Sequence, residues 1–409
     1  MILMSNNNNI QDNKIKKVQI VLGDKEPKPT VRQAYDKLAI EFLNELSGWL
    51  RHCKEAGGYP DVMSVAFWCR RGNIEKLKEG LEDGLLHLGR GLLFHITPSN
   101  VPVNFVFSYF FGLLSGNANI VRLPSKDFPQ VRILCQGIEE VLSHKEYREL
   151  QDTVQFIRYD RDKEINDYYS GICDGRIVWG GDETIGILRQ SPIPPKAVEV
   201  VFADRFSFGV IQSEAVVNAS KEELRRLAKN FYNDTYLMDQ NACSTPHFIF
   251  WLGDQTEKGA AVFWEAVCQE ALKYPLEDIK VMDKYTQLCH LAMEREGIKK
   301  IEQTAYGNWL YVVTLQDIPK DLEELRGSFG LFFQCSIQNL EQLSDAISPK
   351  SQTMLTFGVN SEMIDSFLRE KGLRGIDRVV PFGKALDMGV IWDGYDIVRT
   401  LSRVVTHLS

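Results

Sequence analysis

Eight cysteines are spread along this chain, yet none stands in a Cys-x-x-Cys pair and none joins a cysteine–histidine cluster at metal-ligand spacing. That absence argues against a structural zinc site or a dithiol redox centre. Positive charge is not in excess either: 47 Lys and Arg face 55 Asp and Glu, for a net charge of −8. General affinity for nucleic acid or anionic membranes is therefore not expected. Long hydrophobic runs are also missing. The longest, "VPVNFVFSYFFGLL" at 101–114, is broken by Asn104, Ser108 and Gly112. It is about 14 residues where a membrane span needs roughly 20, so it reads as a buried helix. The start, "MILMSNNNNIQDNK", lacks a basic segment followed by an apolar one, and its asparagine run reads as a frayed terminus rather than a signal peptide. No internal repeat is found. A reduced, cytoplasmic setting fits these absences.

What is present is ordinary globular composition: 44% hydrophobic, 25% charged and 11% aromatic over 409 residues, a length that favours two domains. Residues 30–90 carry apolar positions at helical spacing. From about 90 the pattern changes. "GLLFHI" (91–96), "ANIVRL" (118–123), "VQFIRY" (154–159) and "GRIVWG" (175–180) read as strands, with amphipathic or apolar helices between them. Such alternation predicts an α/β fold with a parallel sheet covered on both faces. A proline-rich seam near 191–208 separates this from a second mixed α/β region. The expected organisation is a flexible segment at 1–29, a cofactor-binding domain at 30–208, a catalytic domain at 209–378, and a tail at 379–409 that could return to the first domain.

Four stretches carry chemistry. "HITPSNVPVNF" (95–105) puts a Pro-x-Asn-x-Pro turn after a strand. Asn100, at the carboxyl end of a parallel strand, could donate its amide to a developing oxyanion, or simply cap the next helix. "SGNANIVRLPSK" (115–126) ends a strand with Arg122, Ser125 and Lys126. That is where an adenosine ribose is read in dinucleotide folds, and a cation there suits a 2′-phosphate; a solvated lysine is the plain alternative. "VWGGDETIG" (178–186) runs strand, glycines, helix start. Its glycine spacing is weak as a phosphate signal, and inward-pointing Asp182 and Glu183 would repel phosphate. Finally, "DQNACSTPH" (239–247) sets Cys243 after a polar run. Nearby backbone N–H groups there would favour a thiolate, although a lone cysteine is more often a small buried hydrophobe.

In this order the four stretches resemble the aldehyde dehydrogenase superfamily, and more closely its LuxC-type acyl-CoA reductase branch. "TPSNVP" is similar to the superfamily's Pro-Trp-Asn-Phe-Pro turn, "GNANIVRLPSK" to its Gly-Asn-x-x-Val-x-Lys-Pro strand, "GGDETIG" to its Gly-Ser-Thr-x-x-Gly loop, and "QNACSTP" to its Gly-Gln-x-Cys segment. The resemblance covers roughly residues 30–405. It implies an aldehyde dehydrogenase-like fold, with a Rossmann-type cofactor domain and an α/β catalytic domain. It makes Cys243 the nucleophile and Asn100 the oxyanion donor. Against the cofactor it places Thr97, Pro98, Ser99, Arg122, Ser125, Lys126, Gly181, Asp182, Glu183, Thr184 and Gly186. Ser99 departs from the tryptophan of aldehyde-oxidising members, and Asp182-Glu183 replace Ser-Thr. Those members also carry a water-activating glutamate where this chain reads "VVFADRFSFG" (200–209); the nearest is Glu199. Without that base, hydrolysis of an acyl-enzyme is slow, which suits a reductase.

The resemblance further implies reduction of a long-chain acyl-CoA or acyl-protein thioester to the aldehyde, with NADPH favoured by Lys126 and NADH as the other choice, and no metal. An acyl-carrier protein is a further possible donor. An acyl-protein synthetase partner and a homo-oligomer are expected on the same ground. Reduction of a short acyl-CoA or an acyl phosphate, or a cofactor-free cysteine acyltransferase or thioesterase, are the competing readings. His247 is close enough in sequence to supply a proton, with a structural histidine as the plainer reading. The aromatic run "FVFSYFF" (105–111) is a candidate lining for an acyl tunnel, with plain core as the ordinary reading.

Overall fold

Residues 92–96 read Leu-Leu-Phe-His-Ile, and each of them is buried. A strand covered on both faces belongs in a parallel sheet between helices, and the computed structural model of this protein places it at the middle of one. The structure describes residues 17–23, 27–99, 101–303 and 305–406. It divides into two compact units, one formed by the described residues up to 203 together with those from 388 onward, the other by 204–387.

The first unit's strands include β1 (Gln19–Gly23), β2 (Leu86–Gly89), β3 (Leu92–Ile96), β4 (Ala118–Arg122), β5 (Val154–Arg158), β6 (Gly175–Trp179) and β7 (Val198–Phe202). Six of them form one sheet in the order β1-β5-β4-β3-β6-β7. All neighbours from β5 to β7 are parallel; β1 runs antiparallel at the edge, Gln19 opposite Arg158. Residues 19–23 thus form a paired strand inside the stretch read from sequence as a flexible N-terminal segment. Strand order reverses between β3 and β6, the position where open α/β sheets hold ligands beyond their carboxyl ends.

Helix 104–114 explains the apolar run in the sequence. Phe105, Phe110 and Phe111 are buried, with Trp68 stacked on Phe110 at 5.7 Å and Phe105 edge-on to Phe156 at 5.7 Å. The run packs as core. Under it lies a polar knot: His95 Nδ1 is 2.8 Å from the Ser108 hydroxyl, His95 Nε2 is 3.0 Å from Asn119 Oδ1, and Trp179 Nε1 donates to Ser108 at 3.1 Å. This knot pins β3, β4, β6 and the helix together at the switch point. Gly112 is required there, because a Cβ would overlap the Asn119 side-chain oxygen. Burial drives the His95 imidazole down to about 4, so it is neutral in the fold. The C-terminal residues complete this unit: Ser402–Val405 pairs antiparallel with β2, and Asn117 donates to the Leu401 carbonyl at 2.9 Å.

The second unit holds β8 (Phe206–Gln212), β9 (Pro246–Leu252), β10 (Ile298–Glu302), β11 (Tyr311–Leu315), β12 (Leu331–Ile337), β13 (Ser351–Phe357) and β14 (Arg378–Pro381) in the order β10-β11-β12-β9-β8-β13-β14. Only β10 is antiparallel to its neighbour. β9 and β8 sit at the centre, and all seven residues of β9 are buried. Helix 221–235 begins with a capping box between Ser220 and Glu223, which satisfies its first free N–H groups. The unit ends at 387, later than the 378 read from sequence, because β14 extends the sheet beside β13. Its start at 204 leaves β8 whole, where a boundary at 208 would cut it. Among the described residues, no helix is long and apolar enough to cross a membrane.

Candidate active site

The loops of the first unit that sequence reading singles out all leave the carboxyl ends of β3, β4 and β6. Thr97 is buried and donates its hydroxyl to the Arg122 carbonyl at 2.7 Å, locking the end of β3 to the end of β4. Pro98 is half-buried and Ser99 exposed. Asn100 lies outside the described residues. The Arg122 guanidinium packs over the Tyr159 ring at 4.5 Å and donates to the Tyr159 carbonyl at 3.2 Å, so it braces the neighbouring loop. Ser125 and Lys126 are exposed, and the Lys126 ammonium lies 5.1 Å from the Phe128 ring centroid. Gly181 precedes helix 182–188, whose first turn carries Asp182 and Glu183. Gly181, Asp182, Glu183, Thr184 and Gly186 are all exposed. A Cβ at Gly181 or Gly186 would meet nothing within 4 Å, so the space above both is open.

Glu199 is on β7, but its carboxylate is taken. Arg176 reaches one oxygen at 2.6 Å and Arg189 the other at 2.8 Å. Burial works against its charge, yet the hydrogen bonds from Arg189 and Arg176 hold the carboxyl below the ordinary glutamate range. A group so held is a poor base.

In the second unit, helix 221–235 leads through a turn at 236–238 into Asp239 and Gln240, both left-handed at φ 52° and 61°. Side chains from elsewhere hold that backbone. Asp239 accepts from Tyr274 and pairs with Lys280 at 3.2 Å. Gln240, 2% exposed, donates to the Leu331 carbonyl at 3.0 Å and accepts from Gly330 N–H. Cys243 follows, half-buried, just before the amino end of β9. The Ser207 hydroxyl donates to its carbonyl at 2.7 Å, and the Gln352 amide donates to its sulfur at 3.4 Å. The thiol is therefore gripped at backbone and side chain from the amino ends of β8 and β13. Burial lowers the Arg378 pKa, while Asp387, Asp234 and the Cys243 sulfur, when ionised, are within reach to favour its charged form. The guanidinium in turn donates to the carbonyls of Lys384, Ala385 and Asp387, each at 2.8 Å.

Asp234 is buried, accepts from the Gly383 and Ala385 N–H groups, and is pushed up to about 7, chiefly by desolvation. His247 is buried on β9 with Nδ1 3.1 Å from the Gly327 carbonyl, and burial drives it down to about 4. That is a core histidine, ill suited to donating a proton at neutral pH. Sequence reading missed Ser207, Gln352, Arg378 and Asp234. The available signal was weak: polar residues opening the apolar strand "SQTMLTF". In the first unit, Glu45, His144 and Glu146 lie close enough to share a cation. His144 Nδ1 is already 2.8 Å from the Glu45 carboxylate, so two of the three side chains are in contact with each other.

The two units carry an aldehyde dehydrogenase-like fold. Solved structures share that fold. A benzaldehyde dehydrogenase from Corynebacterium glutamicum matches 91% of this chain and 85% of its own at TM-score 0.61 and 13% identity. Lactaldehyde dehydrogenase matches 91% and 86% at TM-score 0.62 and 12% identity. The family is narrower than the fold. Residues 82–407 match the family described as acyl-CoA reductase (LuxC), and the chain belongs to that family of oxidoreductases. Among curated relatives, a long-chain acyl-protein thioester reductase of Photorhabdus laumondii is 22% identical over 88% of this chain and 76% of its own length. One from Photobacterium leiognathi is 25% identical over 79% of this chain and 64% of its own. The chain thus spans about two thirds to three quarters of those relatives.

Proposed function

We propose that this protein reduces a long-chain acyl thioester, presented as acyl-CoA or as an acyl-protein, to the fatty aldehyde through an acyl-enzyme on Cys243. NADPH is the proposed reductant, with NADH as the alternative. The observation that carries the reading is the grip on Cys243: a half-buried sulfur receiving an amide N–H, in a chain of the acyl-CoA reductase family. The names of the relatives support the thioester as substrate.

Support for a dinucleotide comes from the sheet that reverses order at β3 and β6, the open space above Gly181 and Gly186, and the exposed ammonium of Lys126. Lys126 and Ser125 would hold the ribose end, and Thr97, Pro98 and Ser99 would shape the β3 side. Gly181, Thr184 and Gly186 would border the phosphates, with Asp182 and Glu183 turned to solvent, and Arg122 would brace the floor. The bound cofactor supplies a hydride.

Cys243, as thiolate, attacks the thioester carbonyl, and Asn100 is the donor proposed for the oxyanion. The thiolate of the acyl donor leaves. The acyl carbon then accepts hydride, and the resulting hemithioacetal on Cys243 breaks its carbon–sulfur bond to release aldehyde and restore the cysteine. One proton enters overall, on the departing thiol. The occupied carboxylate of Glu199 leaves no base there to send water at the acyl-enzyme. An acyl-protein synthetase that delivers the acyl group, and self-association, belong to the same proposal.

The test supplies acyl-CoA of short to long chain with NADPH or NADH, follows cofactor oxidation and trapped aldehyde, and runs Cys243→Ala alongside. Long-chain turnover lost in the variant supports the reading. A preference for short chains or acyl phosphate moves the substrate class. Acyl label on Cys243 with no cofactor consumed replaces reduction by acyl transfer.

A further inference from the structure

We propose that Gln352 is a catalytic residue of this site, its amide N–H holding the Cys243 sulfur as a thiolate aimed for attack; the inference rests on Cys243 being the nucleophile. Four residues close a ring around that sulfur. The Gln352 Nε2 donates to Cys243 Sγ at 3.4 Å, and the Thr353 hydroxyl lies 3.3 Å from Gln352 Oε1 as its donor. The Thr353 N–H donates to the Ser207 hydroxyl at 3.2 Å, and that hydroxyl donates to the Cys243 carbonyl at 2.7 Å. The amide oxygen faces the Thr353 hydroxyl and the NH2 group faces the sulfur.

Burial gives this contact its force. Gln352 is 1% exposed, Thr353 and Ser207 are fully buried, and the sulfur is half-buried. A hydrogen bond to the charged form favours that form, and more so where water does not compete. A packing role alone would not need the amide aimed at sulfur, since a leucine fills similar volume.

Charged groups on the surrounding elements are mostly paired: Asp204, just before β8, holds both Arg326 and Lys350, the latter at the amino end of β13. Arg378 of β14 is within electrostatic reach of Cys243, and its sign also favours thiolate. Asp234, from helix 221–235, and Asp387 lie near Arg378 and offset part of its field. Arg205 and Asp377, at the amino ends of β8 and β14, are paired with each other. On the cysteine's own loop Asp239 is paired with Lys280. His247 on β9 stays neutral. The amide is the one of these groups that touches the sulfur.

The experiment needs no substrate. The full chain is alkylated with iodoacetamide across pH, and modification of the Cys243 peptide is followed by mass, for wild type, Gln352→Leu and Gln352→Glu. The wild-type midpoint should lie below the ordinary thiol value of about 8.5. Leucine should raise it by about one unit, a roughly tenfold slower alkylation at neutral pH, and glutamate by more. A wild-type midpoint at or above the ordinary value overturns the proposal without any variant. So does a folded Gln352→Leu protein with an unmoved midpoint. If leucine prevents folding, the isosteric glutamate decides, since a carboxylate on the sulfur must shift the midpoint upward. A shifted midpoint with no turnover on any acyl donor would leave Gln352 in its role and remove the reductase reading. Turnover with an unmoved midpoint would do the reverse.

Discussion

The two sheets of this molecule present their candidate residues at opposite ends. In the first unit the loops at 97–99, 122–126 and 181–186 leave the carboxyl ends of parallel strands, around the point where strand order reverses. In the second, Cys243, Ser207, Gln352 and Arg378 gather at the amino ends of β9, β8, β13 and β14. The two edges differ in burial. At the carboxyl ends Ser99, Ser125, Lys126 and Gly181 are exposed. The amino-end cluster is short-range and buried, made of side chains that hold one atom still. On the function proposed above, the first edge binds and the second reacts.

The harshest way to break the comparison is to remove the atom the second edge holds. Cys243→Ala should cost about a thousandfold or more in acyl-thioester reduction and abolish acyl labelling. The side chain is small and half-buried, so the thermal midpoint should barely move. If labelling persists in the variant, another of the eight cysteines is the nucleophile and the amino edge loses its meaning.

The contrast also decided what could be read from the chain. The first unit was legible because its signals are local: five-residue apolar runs for β3, β4, β5 and β6, each followed by its own loop. Cys243 is legible as a candidate through the four stretches read together, "QNACSTP" among them. Its grip is not. Ser207 is 36 residues away and Gln352 is 109, and no spacing rule connects residues that meet only because β8, β9 and β13 lie side by side. The same limit hid the pairing of residues 19–23 with β5, which lies far along the chain. Glu199 is the converse case. Sequence leaves it open as a base, and two arginines from 176 and 189 close that option. "FVFSYFF" likewise reads as tunnel or core until Trp68 and Phe156 are seen packed on it.

Stability tests sharpen the comparison next. Arg176 is 3% exposed, so Glu199→Ala leaves a buried guanidinium short of its partner and should cost about 3 kcal/mol in urea unfolding. Acyl-enzyme hydrolysis should be unchanged; faster or slower hydrolysis would return Glu199 to the chemistry. Mild acid should then separate the units. His95 in the first and His247 in the second are both near 4 in the fold against 6.5 ordinarily, so each contributes stability above pH 6.5 that is lost as pH falls. Asp234, raised from 3.8 to about 7, has the opposite sign: its contribution is present at low pH and lost as pH rises through 7. Between pH 7 and 5 the first unit should lose about 2 kcal/mol while the second stays nearly level. Amide hydrogen exchange in β4 and β9 reads this directly, and equal losses in both would sink the assignment.

The smallest effect tests the binding edge alone. Lys126 is exposed, makes a loose contact with the Phe128 ring, and is the cation proposed to meet a 2′-phosphate. Lys126→Glu exchanges a cation for a hydroxyl acceptor at that point, and the ratio of kcat/KM for NADPH over NADH should fall about tenfold, or about 1.4 kcal/mol. The Cys243 alkylation midpoint should not respond, because the described hydrogen bonds that hold Cys243 come from Ser207 and Gln352. A shift in cofactor ratio with a still midpoint would show the two edges to be separable functions. An unchanged ratio would take the 2′-phosphate away from Lys126 and leave the choice of cofactor to the backbone and to Ser125.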